Sequence, residues 1–392
     1  MANTLGVYNP IFYANEALMA LEKALGMAGR VYRGYDEERR AFGKGDVINI
    51  RRPSTFTAAD APATASNVTT DTVAITLNKW REVKFKLTDK ELAFTGERIV
   101  NDHIRPAAYA LADDIDQTLA ALWIDIPWVY SLNATPGSVV ADITGPRKIL
   151  FDNAVPVSDG NLHYMIDSTV EANLLGVAAF TQNQGAGQLG VESQLRGTIG
   201  TRYGAEFFAN QNVKTYATGA GGADVSALIN NGAGYVAGTK TVAMDGVTVS
   251  ITNFIQPGDT FVITGNTQRY VVTAAEDSTA GGALAAVEFE PGLAAAVADN
   301  AVVTFDLGAA TATRYQNLLF HKNAFAIAMA PLSEMGNNVG ASIATITDPI
   351  TGLSLRSRVF YMPDVSEVNV AIDVLYGVKT LDRQMAVRAY HI

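Results

Sequence analysis

The 392-residue chain carries 29 basic and 39 acidic side chains, a formal net charge of −10, and no cysteine. Its length points to two or three domains and lets it bury about three-quarters of its unfolded surface without covalent staples. Without cysteine, disulfide frameworks, Cys-ligated zinc, iron–sulfur clusters and thiol nucleophiles are excluded. The acidic balance speaks against a dedicated nucleic-acid binder, which needs a concentrated basic face. At 48 % hydrophobic and 17 % charged, the chain is too apolar for disorder. No uninterrupted apolar run reaches the ~18 residues of a membrane-spanning helix. The first residues lack the basic region of a secretory signal, so a cytosolic origin is expected.

Asn9 and Pro10 read as an N-cap and first helical position. Behind them Ile11, Ala14, Leu18, Leu21, Leu25 and Ala28 form one apolar stripe, ended by Gly26 and Gly29. Such a helix packs on its own core or sits on an arm that docks on a neighbouring subunit. From Asp46 the period changes to two, giving strands at 46–52, at 72–78 and around Val83, Phe85 and Leu87. Pro53 to Asn67 between the first two is a soft tip of small residues with one charge, Asp60. Thr88 and Glu91 make a capping box for a short helix. The longest helical pattern follows: Ile104, Ala108, Leu111, Ile115, Leu119 and Leu122, with Asp113, Asp114 and Asp116 near its middle. Pro106 starts or kinks this helix and Pro127 ends it.

A short helix from about Thr144 to Leu150, a buried strand at 162–166 and a helix capped by Ser168 and Glu171 come next, before a loop-rich stretch at 179–213. From Thr218 to Ala312 nine acidic residues face two basic ones, a net of −7. Strand runs VTVSI, TFVIT, RYVVTA, AVEFE and AVVTFDL alternate there with glycine-bearing turns, which indicates a small all-β sandwich or barrel. After it, Phe325, Ile327 and Met329 alternate, and the last forty residues read as two or three strands with turns at Pro363-Asp364 and Gly377.

No catalytic constellation emerges. Gly185-Ala-Gly187-Gln-Leu-Gly190 imitates a dinucleotide loop, but no strand signal precedes it and no clean helix signal follows. The three-aspartate cluster has no histidine near it in sequence and reads as a solvated or interface-facing acidic patch. His321 at a strand start reads as a structural histidine. No metal site or cofactor is expected.

The order of parts resembles a major capsid protein of a tailed bacteriophage with the HK97-type fold, most similar to the P22-like coat family. Ile199-Gly-Thr-Arg-Tyr-Gly-Ala-Glu-Phe-Phe, Leu319-Phe-His-Lys-Asn-Ala-Phe-Ala-Ile-Ala, Asp373-Val-Leu-Tyr-Gly-Val-Lys-Thr-Leu and Met385-Ala-Val-Arg carry the resemblance. It implies an α+β fold divided into an N-terminal helical arm (1–45) and an extended hairpin loop (46–87). A peripheral domain with a spine helix (88–152 and 352–392), an axial domain (153–214 and 313–351) and an inserted β-domain (215–312) complete it. It further implies no enzymatic activity and self-assembly into pentamers and hexamers of an icosahedral shell. Scaffolding and portal proteins are the implied assembly partners, and double-stranded DNA is enclosed without sequence-specific binding or membrane contact. The implied location is the virion, after assembly in the host cytoplasm. An encapsulin-like protein compartment and a β-rich binding protein are the alternatives.

An isolated two-stranded hairpin is marginal in water, so the hairpin is expected to lie across an adjacent subunit. Its apolar positions Ile48, Ile50, Val73 and Ile75 and its strand-end Arg51 and Arg52 are the expected contacts. The arginines are expected to meet carboxylates there, and the Asp113, Asp114 and Asp116 face of a neighbour's long helix is one candidate; simple solvation of the pair is the alternative.

Overall fold

The computed structural model describes residues 14–20, 25–33, 47–51, 60–61, 72–88, 103–181, 188–222, 226–334, 341–347 and 353–392. The chain is a mixed helix–strand protein, dominated by strands. It divides into two compact units, Met1–Leu119 with Phe325–Leu381, and Ala120–Ala324 with Asp382–Ile392. The breaks fall at 119/120, 324/325 and 381/382. The cause is strand pairing: the final strand joins the second unit's sheet, while the two long strands before it belong to the first unit.

The first unit contains a helix at 14–20, designated α1, and α2 (Arg105–Ala120). Pro106 occupies the first turn of α2, where its missing amide hydrogen costs nothing. Strands β1 (Val47–Arg51) and β2 (Thr72–Thr76) form an antiparallel pair, with Ile48 opposite Ile75 and Ile50 opposite Val73. A five-stranded sheet is built on β19 (Glu367–Thr380), which pairs with β3 (Lys79–Thr88) along one edge. Its other edge takes β18 (Ser354–Met362) and then β16 (Phe325–Ala330), and β17 (Ala341–Thr347) extends the sheet beyond β18. Gly377, expected at a turn, lies inside β19. A Cβ there would stand 2.3 Å from the Thr76 carbonyl oxygen, so the glycine marks close approach of the hairpin and not a chain reversal.

The second unit has a seven-stranded sheet in the order β4 (Val129–Ser131), β20 (Ala386–His391), β15 (Thr313–His321), β5 (Leu162–Ile166), β7 (Ala205–Ala209) and β6 (Thr201–Arg202). The seventh strand, β8 (Lys214–Ala217), pairs with the first half of β15. Helices α3 (Ala141–Asp152), α4 (Ser168–Gly176) and α5 (Ala178–Thr181) contribute Ile143, Leu150, Val170, Leu174 and Phe180 to a core with Tyr164, Leu319 and Val387. The cap of α4 is Asp167, whose carboxylate accepts from Thr169 N at 3.0 Å, and not the expected Ser168. The reason is local: a carboxylate one residue earlier reaches the open amide first. A helix, α6 (Gln188–Arg196), does follow the glycine-rich loop, while α5 and not a strand precedes it; residues 182–187 of that loop lie outside the described residues. So does the expected capping-box helix after Thr88.

The acidic all-β stretch contains a closed barrel of β9 (Ser226–Ile229), β10 (Thr241–Asp245), β11 (Thr260–Ile263), β12 (Arg269–Val272), β13 (Leu284–Glu290) and β14 (Val302–Asp306). All its pairings are antiparallel, and closure leaves no free edge. VTVSI is not among the strands. Gly246 and Ser250 both take positive φ (78° and 57°), so the segment wraps over the barrel instead of joining its wall. Its place is taken by TVAMD. The core is supplied wholly from within the stretch, with Phe261 in ring contact with Tyr270, Phe289 and Phe305 at 5.3–5.6 Å.

A fragment of residues 215–312 is therefore expected to unfold cooperatively on its own. Phe261→Ala should cost it about 3–5 kcal/mol, read by urea unfolding. A fragment without a transition would show that the barrel depends on the rest of the chain.

Candidate assembly surface

Where the structure places the expected contact residues decides which of them remain available to a partner. Ile48, Ile50 and Ile75 are buried in their own chain, in a cluster with Leu77, Leu381 and the small side chains Ala326, Ala328 and Ala330 of β16; Val73 packs at its margin. Much of the apolar face expected to meet a neighbour is thus already packed within its own chain. Alternate alanines on β16 leave room for isoleucine, and the hairpin gains from its own sheet the partner it needs. The backbone of Arg51 pairs with Thr72 at the end of the hairpin. The Arg51 side chain and Arg52 lie outside the described residues.

The aspartates on α2 have three different fates. Asp116 is buried, and its carboxylate accepts from the backbone N–H groups of Gly26 (2.6 Å), Met27 (3.3 Å) and Ala28 (2.9 Å). It is an internal clamp that ties the turn at 25–33 to α2. Sequence spacing cannot disclose this, because the amides it serves are nearly ninety residues away. Asp114 accepts from Arg81 Nε at 3.1 Å and from the Tyr376 hydroxyl at 2.7 Å, so it joins α2 to the five-stranded sheet. Burial pushes the Tyr376 hydroxyl up to about 12, which keeps it a donor to that carboxylate. Asp113 is exposed and accepts from Gln117 Nε2 one turn along the same helix.

Strand β3 contributes a further surface. It is an outer strand of its sheet, with Lys84, Lys86, Arg81 and Trp80 exposed. Trp80 is 59 % exposed, although its Nε1 donates to Asp373 at 3.0 Å. Lys84 sits over the Phe360 ring and Lys86 pairs with Glu367. Basic side chains on an outer strand discourage indiscriminate strand addition.

The histidines in the second unit do structural work. His321 lies 2.7 Å from Asp159, His391 lies 3.2 Å from Asp167, and His163 lies 3.0 Å from Glu206, so strand ends are joined by imidazole–carboxylate pairs. Burial pushes the Asp159 carboxyl up, but the Asn161 side chain, His321 and the Asn161 amide outweigh it and hold it at about 2. Asp167 is likewise raised by burial and lowered further by His391, Thr169 and Asn317. Among the described residues, no group of three or more His, Asp or Glu is placed to hold a metal ion. No helix among them is long and apolar enough to cross a membrane.

No protein-family model matches this chain, and no curated protein matches it. Solved structures do. A chain from Mycobacterium phage Che8 aligns over 93 % of this chain and 90 % of its own, at 14 % identity and a TM-score of 0.51. The capsid structure of the cyanophage P-SCSP1u (11 % identity, 88 % and 84 % covered, TM-score 0.43) is also similar. So is the virus-like particle from Pyrococcus furiosus (8 % identity, 97 % and 98 % covered, TM-score 0.41). The Che8 likeness establishes a shared fold; the other two, below 0.5, add nothing to it.

Two outcomes follow from the geometry. Asp116→Ala leaves the amides of Gly26, Met27 and Ala28 without their acceptor and should cost about 2–4 kcal/mol in urea unfolding, with faster proteolysis within 14–33. Asp159 and Asp167 hold their protons less tightly folded than unfolded, where a free aspartate titrates near ~3.9. Their contribution is fully present above that value and is lost as pH falls below it, for Asp159 through about 2 and for Asp167 through its own lowered value. Asp159→Asn with Asp167→Asn should flatten the pH dependence of the unfolding midpoint across that window.

Proposed function

We propose that this chain is a major capsid protein of a tailed bacteriophage, built on the HK97-type fold, with copies that close into an icosahedral shell around double-stranded DNA. The observation that carries the reading is the likeness of fold to a phage chain over nearly the full length of both. In this reading the first unit is the peripheral part, with α2 as its spine and the hairpin as its extended loop. The second unit is the axial part, and the barrel is its insertion, of the kind found in P22-like coats. The protein has no catalytic task; its chemistry is association with itself in pentamers and hexamers, guided by scaffolding and portal proteins. Of the expected contacts, Arg51, Arg52 and Asp113 stay in play, together with the exposed side of β3. The chain is at work in the virion after assembly in the host cytoplasm.

Heterologous contacts that close by rotation give rings, and repeated rings give a closed shell. Electron microscopy of the purified full-length protein, alone and with a co-expressed scaffolding partner, should show closed icosahedral particles. Protein that stays monomeric at high concentration in both preparations would sink the proposal. Particles that contain a specific protein cargo and exclude DNA would make it a protein compartment instead. Arg51→Ala with Arg52→Ala should lower shell yield and increase its salt sensitivity while the monomer still folds. Unchanged yield and salt response would remove the two arginines from the interface.

A further inference from the structure

One face of the seven-stranded sheet in the second unit is covered by the barrel. Arg314, Gln316 and Leu318 of β15 lie on it beside Arg388 and Tyr390 of β20, because directly opposed residues of an antiparallel pair share a face. The barrel meets this face through Thr260, Val271 and Arg269. Trp123 and Tyr216 stack at 5.0 Å alongside, where Gly258, at φ +104°, passes so close that a Cβ would stand 2.7 Å from Trp123. Arg314 and Arg388 are both 0 % exposed.

The charges in this seam do not balance. Arg269 Nη1 donates to Asp306 at 2.9 Å and to the Tyr390 hydroxyl at 2.9 Å, and Tyr390 donates to Asp306. Arg314 lies over the Tyr390 ring, donates from Nη1 to Thr260 at 3.3 Å and holds Nη2 3.4 Å from Asp306. Asp306 thus serves two cations. Asp259, the carboxylate that reaches Arg388 electrostatically, is occupied by the amides of Gly219 and Gln256 and by Tyr216. Three arginines share two carboxylates.

Arg388 bears the deficit. Its flat face lies over Trp123 at 5.0 Å, but Nε, Nη1 and Nη2 all lack a hydrogen-bond acceptor among the described residues. Arg314 Nε has none either. Gln316 Oε1 on the same face is also without a partner, yet one neutral oxygen could take only one or two of the five N–H groups of a guanidinium and would leave its charge uncompensated. A buried ion without a counter-ion is among the most costly arrangements a fold can hold. Burial lowers the Arg388 guanidinium only to about 10, so it stays charged at neutral pH.

We propose that the sheet–barrel seam holds one monovalent inorganic anion of about chloride size, in the plane of the Arg388 guanidinium. Complete burial restricts the class: a carboxylate on another chain cannot enter, and a divalent anion would reverse the imbalance instead of cancelling it. The anion completes the seam by supplying both the missing acceptor and the missing charge, and so it makes the attachment of the barrel to the sheet ion-dependent.

The test uses the full-length protein at neutral pH and constant ionic strength, with chloride replaced stepwise by gluconate. The thermal midpoint should rise with chloride by about 2–4 °C and saturate, as binding to the folded state alone requires. Crystals soaked in bromide should show an anomalous peak beside Arg388. Arg388→Met, which removes the charge and keeps the volume, should abolish the chloride-dependent shift. Equal midpoints in chloride and gluconate, without a bromide peak, would mean that water alone fills the seam and would overturn the proposal. A shift that persists in Arg388→Met, or a bromide peak elsewhere, would overturn the assignment to Arg388. Should that variant fail to fold, the wild-type midpoint series and the bromide peak decide the matter between them.

Discussion

A single buried carboxylate sets the register of the first unit's sheet. Asp373 lies on β19 with no exposure, directly opposite Arg356 of β18 and Glu82 of β3. Arg356 reaches it with two nitrogens at 2.6 and 3.0 Å, Arg358 Nη2 stands at 3.4 Å, and Trp80 Nε1 donates from the other neighbouring strand. A shift of one residue in either pairing would send these partners to the opposite face and strand a buried charge. The apolar side chains could tolerate such a slip far better, since β19 is buried on both faces for much of its length. The ionic contact therefore specifies what the hydrophobic contacts only stabilise.

The second unit repeats this division of labour with different parts. Its helices and sheet bury an ordinary apolar core, and the barrel buries another. Among the described residues, the buried apolar cluster that joins barrel and sheet is small, made of Val129, Val271 and Tyr390. The rest of that seam is arginine, aspartate, tyrosine and threonine. Polar contacts of this kind are geometrically demanding, so the barrel has one way to sit on its sheet, and it holds that place by hydrogen bonds whose partners are contributed from β11, β12, β14, β15 and β20.

Period-two alternation locates β1, β2, β3 and β16, a buried apolar run locates β5, and the glycine-punctuated strand runs mark β11 to β14 of the barrel wall but not β9 or β10, because these signals are local. The pattern misleads where a local turn or a distant contact overrides it. VTVSI alternates like a strand, but Gly246 and Ser250 turn it out of the wall. Gly377 has the look of a turn residue, yet a hairpin three hundred residues earlier requires its missing Cβ. Asp113, Asp114 and Asp116 form one cluster in sequence, but only the fold shows that Asp116 closes a turn near residue 27 and Asp114 meets Arg81. Arg388 stands in an unremarkable alternating strand, and nothing in its neighbourhood announces complete burial.

The hairpin shows how such corrections change a functional argument. A two-stranded ribbon read alone must borrow a surface from elsewhere, and an adjoining copy is one source. Its isoleucines instead fill the spaces above Ala326, Ala328 and Ala330, so the apolar gain is already taken within one chain. Association that cannot draw on those side chains has to use charged and aromatic groups at the rim, where each exposed pair contributes ~0–1 kcal/mol and is weakened by salt. In the proposed shell that is a workable arrangement: a subunit that folds first on its own core can make weak contacts that are released when misplaced, and stability would accrue as every subunit satisfies several of them at once.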